Sequence, residues 1–220
     1  MPPAPGGAIP GRDERRAVAD SENQQAGNPS NPVPPARLVR FGLYFYAALM
    51  GAALVWRVGG YGEPIFFASA LERSAGASPV RDFGVGLLAG AGVLVASSVW
   101  TAYSRWGNSL ARELAAAIGP LGLPNALLLA FASGFAEELF FRGALQPRVG
   151  LLAASLLFAC VHFVPRRALL PWAVFALIAG LILGGLFIWT GNLIAPITAH
   201  IMINAVSLPL LARRFGSGSW

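Results

Sequence analysis

Charge is scarce in this chain of 220 residues, with Asp, Glu, Lys and Arg making up 12% of it against 55% hydrophobic residues. So little charge in so apolar a chain excludes an ordinary soluble globule and indicates an integral membrane protein. Lysine is absent, so all 16 basic residues are arginine, and catalysis by a Ser–Lys pair is excluded. The single cysteine, Cys160, excludes an internal disulfide. Set in "LLFACVHF", it is expected to be a small buried apolar residue. The N-terminus lacks the early apolar core of a signal peptide, so export past the membrane is not expected. A net charge of +6 comes without any basic stripe interleaved with aromatics. The arginines instead stand at the ends of apolar runs, as they do around membrane spans, and nucleic acid is not an expected partner.

What is present falls into two parts. Residues 1–37 are rich in Pro, Gly, Asn and charge and show no periodic apolar face, the pattern of a disordered polar tail. Residues 38–214 read as all-α, a polytopic membrane helix bundle of about six transmembrane helices. These lie near 41–56, 83–103, 123–146, 150–163, 169–189 and 193–211. The amphipathic piece "NSLARELAAAIG" is expected at the membrane interface. Gly86/Gly90 and Gly180/Gly184 place small residues four apart, which lets helices approach closely. An even number of spans puts both termini on one side. Arg37, Arg40, Arg105, Arg112, Arg166, Arg167, Arg213 and Arg214 fall on that side, against Arg57, Arg73, Arg81, Arg142 and Arg148 on the other, which favours cytoplasmic termini in the cell membrane.

The third span contains the polar residues that such a chain should avoid. Stopped at Ala136 it would be about 13 residues, roughly 20 Å of helix, short of the ~30 Å hydrocarbon core. Continued to Gln146 it spans, and then Glu137, Glu138 and Arg142 lie inside the membrane, where each charge costs roughly 2.5–3.5 kcal/mol on insertion scales. Glu138 and Arg142 are four apart and share a helix face, so they can pair. Glu137 points about 100° away and stays free of that pairing. Charges snorkelling from an interfacial helix end would be the ordinary explanation.

The histidines weigh against it. The chain has two, His162 and His200, both within apolar spans, and Asn204 follows His200 by one turn. At ~1.5 Å per residue from a hairpin near 147–150, Glu137 is about 15 Å deep and His162 about 18 Å. Counted from residue 193, His200 is about 10 Å deep and Asn204 about 16 Å. A carboxylate, two imidazoles and an amide are thus expected in one layer near the midplane. An unpaired carboxylate in a low-dielectric site is a stronger base near neutral pH. An imidazole beside it can hold water, and a second imidazole with an amide can donate to an oxyanion. Ser133 and Ser155 have no Gly-x-Ser-x-Gly elbow to support a serine mechanism.

The stretches "EELFFR", "FACVH" and "HIMIN" are similar to the Glu-Glu-x-x-x-Arg, Phe-x-x-x-His and His-x-x-x-Asn motifs of the CAAX-protease and bacteriocin-processing (CPBP) family of intramembrane glutamic endopeptidases. The run "GLILGGLFIWTGNLIAPITAH" resembles that family's approach to its third motif, and the likeness covers about 121–211. The resemblance implies that Glu137 is the general base, helped by His162, and that His200 and Asn204 form the oxyanion site. It makes Glu138 and Arg142 a structural pair with Phe158 packed beneath. It implies no cofactor and no tightly bound metal. The implied partner is a membrane-anchored or exported peptide or protein, met in the lipid bilayer. Three alternatives remain open. A zinc-dependent protease would use the same two histidines and glutamate with water as fourth ligand, although no His-Glu-x-x-His helix is present. A proton-coupled carrier would need paired broken helices, which are not seen. A non-catalytic membrane-binding or immunity protein would keep the fold without the chemistry.

Overall fold

The computed structural model describes Gly11 and residues 35–215. The tail expected over 1–37 lies outside the described residues, apart from Gly11 and the three residues from Pro35 onward, which already form the first turn of a helix. That helix, α1 (Pro35–Leu54), continues as a π-helical stretch, Val55–Gly60. A short α2 (Ala70–Ala75) precedes α3 (Pro79–Tyr103), and α4 (Arg105–Ile118) follows at once. Next come α5 (Leu123–Glu138), a π-helical stretch (Leu139–Leu145) and α6 (Gln146–Val161). A 3-10 turn (Arg167–Leu169), α7 (Leu170–Thr190) and α8 (Ile194–Phe215) complete the order.

Among the described residues, five helical stretches are long and apolar enough to cross a membrane: Ala36–Gly60, Pro79–Tyr103, Leu123–Val161, Arg167–Thr190 and Ile194–Arg214. The chain is an all-helical, multi-pass membrane protein. The stretch Leu123–Val161 takes in both the third and the fourth expected spans. Drawn straight, it would hold Glu137 and His162 about 37 Å apart. Their side chains instead approach to 3.8 Å, so the run folds back on itself. The reversal is at Gly150, whose φ of 82° and ψ of 170° break the helix at a conformation open to glycine. The returning arm, 151–161, is only about 16 Å long, half of a bilayer core. The expected fourth crossing is therefore a half-length arm completed by the non-helical chain after it.

Several contacts gather the loops at one end of the bundle. Glu63 accepts from Arg148 at 2.5 Å and pairs with Arg57 at 3.1 Å, and these cations, Arg148 first, hold its carboxyl below the usual carboxylate range. Leu193 N–H donates to the Phe66 carbonyl at 3.0 Å, and Asn192 donates to the buried Asp82 at 2.7 Å. The opposite end carries α4, whose Leu110, Ala111 and Ala115 are buried. Ser104 caps it by accepting from Gly107 N–H, and a Cβ at Gly107 would meet the Trp100 carbonyl at 2.7 Å, which is why α4 can turn so tightly off α3.

Apolar burial gives little drive to helix association in lipid, so close backbone approach matters more. The glycine pairs mark where it happens. A Cβ at Gly86 would lie 2.5 Å from the Ala195 carbonyl, and one at Gly90 would lie 3.1 Å from that of Ala199, so α3 and α8 meet there. Gly180 and Gly184 lie against Ser155, Leu151 and Gln146, bringing α7 onto α6. Cys160 is exposed, contrary to the buried position expected for it. The face of α6 that packs inward carries Ala154, Ser155 and Phe158, and Cys160 falls off that stripe, so its apolar surroundings are lipid rather than protein.

Gly86→Val should lower the stability of the detergent-solubilised protein by about 1–3 kcal/mol, the usual range for overpacking. Gly84→Ala, where a Cβ meets nothing within 4 Å, should not. Thermal unfolding of the two variants beside wild type checks this.

Candidate active site

Glu138 stands at the last turn of α5 with none of its side chain exposed. Its Oε1 accepts from Arg142 Nη1 at 2.8 Å and sits 2.7 Å from His200 Nδ1. Arg142 lies within the π-helical stretch that follows, and is itself 1% exposed. Its second terminal nitrogen donates to the Gly180 carbonyl at 3.2 Å, and Gln146 donates to the Gly184 carbonyl at 3.0 Å. Two polar side chains four apart thus reach two glycine carbonyls four apart on α7. The Phe158 ring lies under the guanidinium, with Arg142 Cζ 4.6 Å from its centroid, and 4.4 Å from the His162 ring centroid.

Glu137, one residue earlier, turns away from this pair. It is 7% exposed, and its Oε2 is buried without a hydrogen-bond partner. That oxygen lies 3.8 Å from His162 Nε2 and 4.0 Å from His200 Nε2. The other ring nitrogens are committed: His162 Nδ1 is 2.7 Å from the Phe158 carbonyl, and His200 Nδ1 is bound to Glu138. A carbonyl can only accept, so His162 Nδ1 carries the hydrogen and its Nε2 presents a lone pair to Glu137. The gaps are too wide for direct hydrogen bonds and wide enough for one bridging water.

Asn204 stands one turn beyond His200 and lines the same cavity. One of its amide hydrogens goes to Ser133 Oγ at 2.9 Å, and Ser133 in turn donates to the Ala130 carbonyl. The second amide hydrogen has no such partner among the described contacts. Ser155, the other serine weighed in the sequence, has a buried Oγ with no partner and lies against Gly180, away from Glu137. Among the described residues, no group of three or more His, Cys, Asp and Glu side chains is disposed to hold a metal ion.

Two residues here were not legible from sequence. Tyr46, on α1, lies within side-chain reach of both Glu137 and Ser133. Trp172, at the start of α7, sets its ring edge-on to His162 at 5.6 Å. Neither spacing within its own helix marks it, since each meets the site across the bundle. Both line a cavity of about 360 Å³ whose polar end is Ser133, Glu137, His162, His200 and Asn204 and whose remainder is apolar. Leu38, Phe41 and Phe45 of α1 form one wall and Phe175, Ala176 and Ala179 of α7 another. The backbones of the two helices do not approach each other closely, and the cavity occupies the gap between them.

This architecture and site define a class: a multi-pass membrane protein with a buried Glu–His–His cluster facing an apolar cleft. The family model described as type II CAAX prenyl endopeptidase Rce1-like matches residues 119–206. YpbD of Bacillus subtilis (strain 168), an uncharacterized protein, is 44% identical over 86 residues, 38% of this chain. The match covers 44% of YpbD's own length, so the chain spans less than half of the curated relative it resembles. No solved structure matches. Residues 119–206 are therefore a domain of the Rce1-like type II CAAX prenyl endopeptidase family.

Removing one member of a buried ion pair strands the other charge, at a cost of about 3–5 kcal/mol. Arg142→Met alone should therefore destabilise the protein by that amount, whereas Glu138→Leu combined with Arg142→Met should recover much of the loss. Thermal unfolding in detergent distinguishes the two.

Proposed function

We propose that the chain is an intramembrane endopeptidase that hydrolyses a peptide bond of a membrane-associated protein or peptide without a covalent intermediate. The observation that carries this reading is the unpartnered Glu137 Oε2, buried and facing two imidazole Nε2 atoms at 3.8 and 4.0 Å. Water seated in that gap donates to Glu137 and to the His162 lone pair. Glu137 takes a proton as the water oxygen bonds to the scissile carbonyl carbon. The carbonyl oxygen becomes an oxyanion and receives hydrogens from His200 Nε2 and the free amide hydrogen of Asn204. For Nε2 to donate, His200 must be doubly protonated, and Glu138 supplies the counter-charge beside it. Collapse of the intermediate breaks the C–N bond, and Glu137 returns the proton to the departing amine.

Each supporting part has a stated task. Glu138, shared between Arg142 and His200, fixes the His200 ring and is fully committed to these two partners, so that Glu137 remains the carboxylate left for the water. Tyr46 orients Glu137 from the far wall, and Ser133 orients Asn204. The apolar gap between α1 and α7 admits the substrate sideways from the lipid, the environment in which a membrane-anchored segment already lies. A cell-membrane location with both termini in the cytoplasm fits the arginine distribution.

Membranes from cells carrying Glu137→Gln should accumulate uncleaved precursors that wild-type cells lack, with cleavage reduced by at least about 10³-fold, and comparative peptidomics reads this directly. Full activity in that variant would show that the protein works by binding. With the precursor peptide so identified, cleavage by the purified enzyme should survive exhaustive chelation. On the same peptide Tyr46→Phe should lower kcat by roughly 10- to 100-fold with KM little changed, since a positioning hydroxyl acts on the reacting geometry more than on binding. Tyr44→Phe, on an exposed face of the same helix, should be neutral.

A further inference from the structure

A cavity larger than the catalytic cleft lies outside it. It is an apolar groove of about 1010 Å³ between α3, α4 and α7, walled by Trp100, Trp106, Val174 and Phe175 among others. This is at the upper end of the roughly 300–1,000 Å³ of ordinary small-molecule sites. Arg105 and Arg167 stand on its lining, one from α4 and one from the 3-10 turn before α7. A second cavity, about 400 Å³, adjoins it and is far more polar, with Ser104, Arg105, Asn108, Ser109 and Arg112 on its lining beside Ala102 and Tyr103. Arg105 and Ser109 line both. No acidic side chain lines either one.

Arginines at the end of a span are the ordinary result of membrane orientation, and they alone would mean nothing. The joining of the two cavities is what adds meaning. An apolar groove meets, at Arg105 and Ser109, a basic, hydroxyl-bearing niche, a pairing that matches a molecule with hydrocarbon chains and an anionic head. We propose that this composite groove is a binding site for one anionic phospholipid. Its chains lie against α3 and α7, and its phosphate is held by Arg105, Arg112 and Arg167, with the hydroxyls of Ser104 and Ser109 donating. Guanidinium forks suit phosphate oxygens, which zwitterionic lipids offer with a competing cation attached. Phe175 and Ala179 line both this groove and the catalytic cleft, so a seated lipid steadies the α7 wall of the site. The proposal concerns binding and stands whether or not the chain cleaves peptides.

The test uses the full chain in dodecyl maltoside, titrated with dioleoylphosphatidylglycerol or dioleoylphosphatidylcholine and read by native mass spectrometry and thermal unfolding. Phosphatidylglycerol should saturate at one molecule per protein, bind about tenfold or more tightly than phosphatidylcholine, and raise the thermal midpoint as it binds. Arg105→Gln and Arg167→Gln should each lose most of that preference with an unchanged midpoint in the absence of added lipid. Ser109→Trp, which fills the niche while leaving every charge in place, should lose it too. Arg73→Gln, removing an exposed charge at the far end, should keep it. Equal binding of the two lipids, an undiminished preference in the arginine and Ser109 variants, or full competition by inorganic phosphate would each overturn the proposal.

Discussion

A single carboxylate oxygen, Oε1 of Glu138, accepts from Arg142 on its own helical run and from His200 on α8. Arg142 also reaches the backbone of α7 through Gly180. One buried charge centre thus ties together the three helical runs that carry the site. In hydrocarbon, where apolar surfaces gain little by meeting, such a network does what a hydrophobic core does in water. It also fixes what is left over. With Glu138 spoken for, and the Nδ1 atoms of both histidines anchored, the groups still uncommitted are Glu137 Oε2 and the two Nε2 atoms, and they face one another.

The glycines make that network geometrically available. Gly180 and Gly184 expose backbone carbonyls that Arg142 and Gln146 satisfy, and any side chain at Gly184 would collide with Gln146. The π-helical stretch from Leu139 to Leu145 widens the helix where Arg142 must fold back over Glu138. Close packing and polar satisfaction are here the same feature seen from two helices.

Much of this was legible in the sequence, for physical reasons. Apolar runs set the helices, because backbone groups in lipid must be satisfied within each span. Spacing separated Glu138, able to pair with Arg142, from Glu137, which was not. Depth counting placed His162 and His200 near the same layer, and the structure brings both rings to Glu137. What escaped were features decided by three-dimensional neighbours. Cys160 sits in a run as apolar as any buried helix, and nothing in its flanks distinguishes lipid from protein. Tyr46 meets Glu137 from a helix some ninety residues away, beyond any periodicity. Ser133, whose hydroxyl accepts from the Asn204 amide, stands 71 positions away on α5, and no local spacing marks that contact.

The reversal at Gly150 has one further effect. Because the returning arm ends about halfway through the hydrocarbon, the carbonyls of its last turn need partners that lipid cannot give. Ala159 and Cys160 accept from the N–H groups of His162 and Phe163, and Phe158 accepts from His162 Nδ1. The imidazole that faces Glu137 is thereby also the plug that closes a half-finished helix.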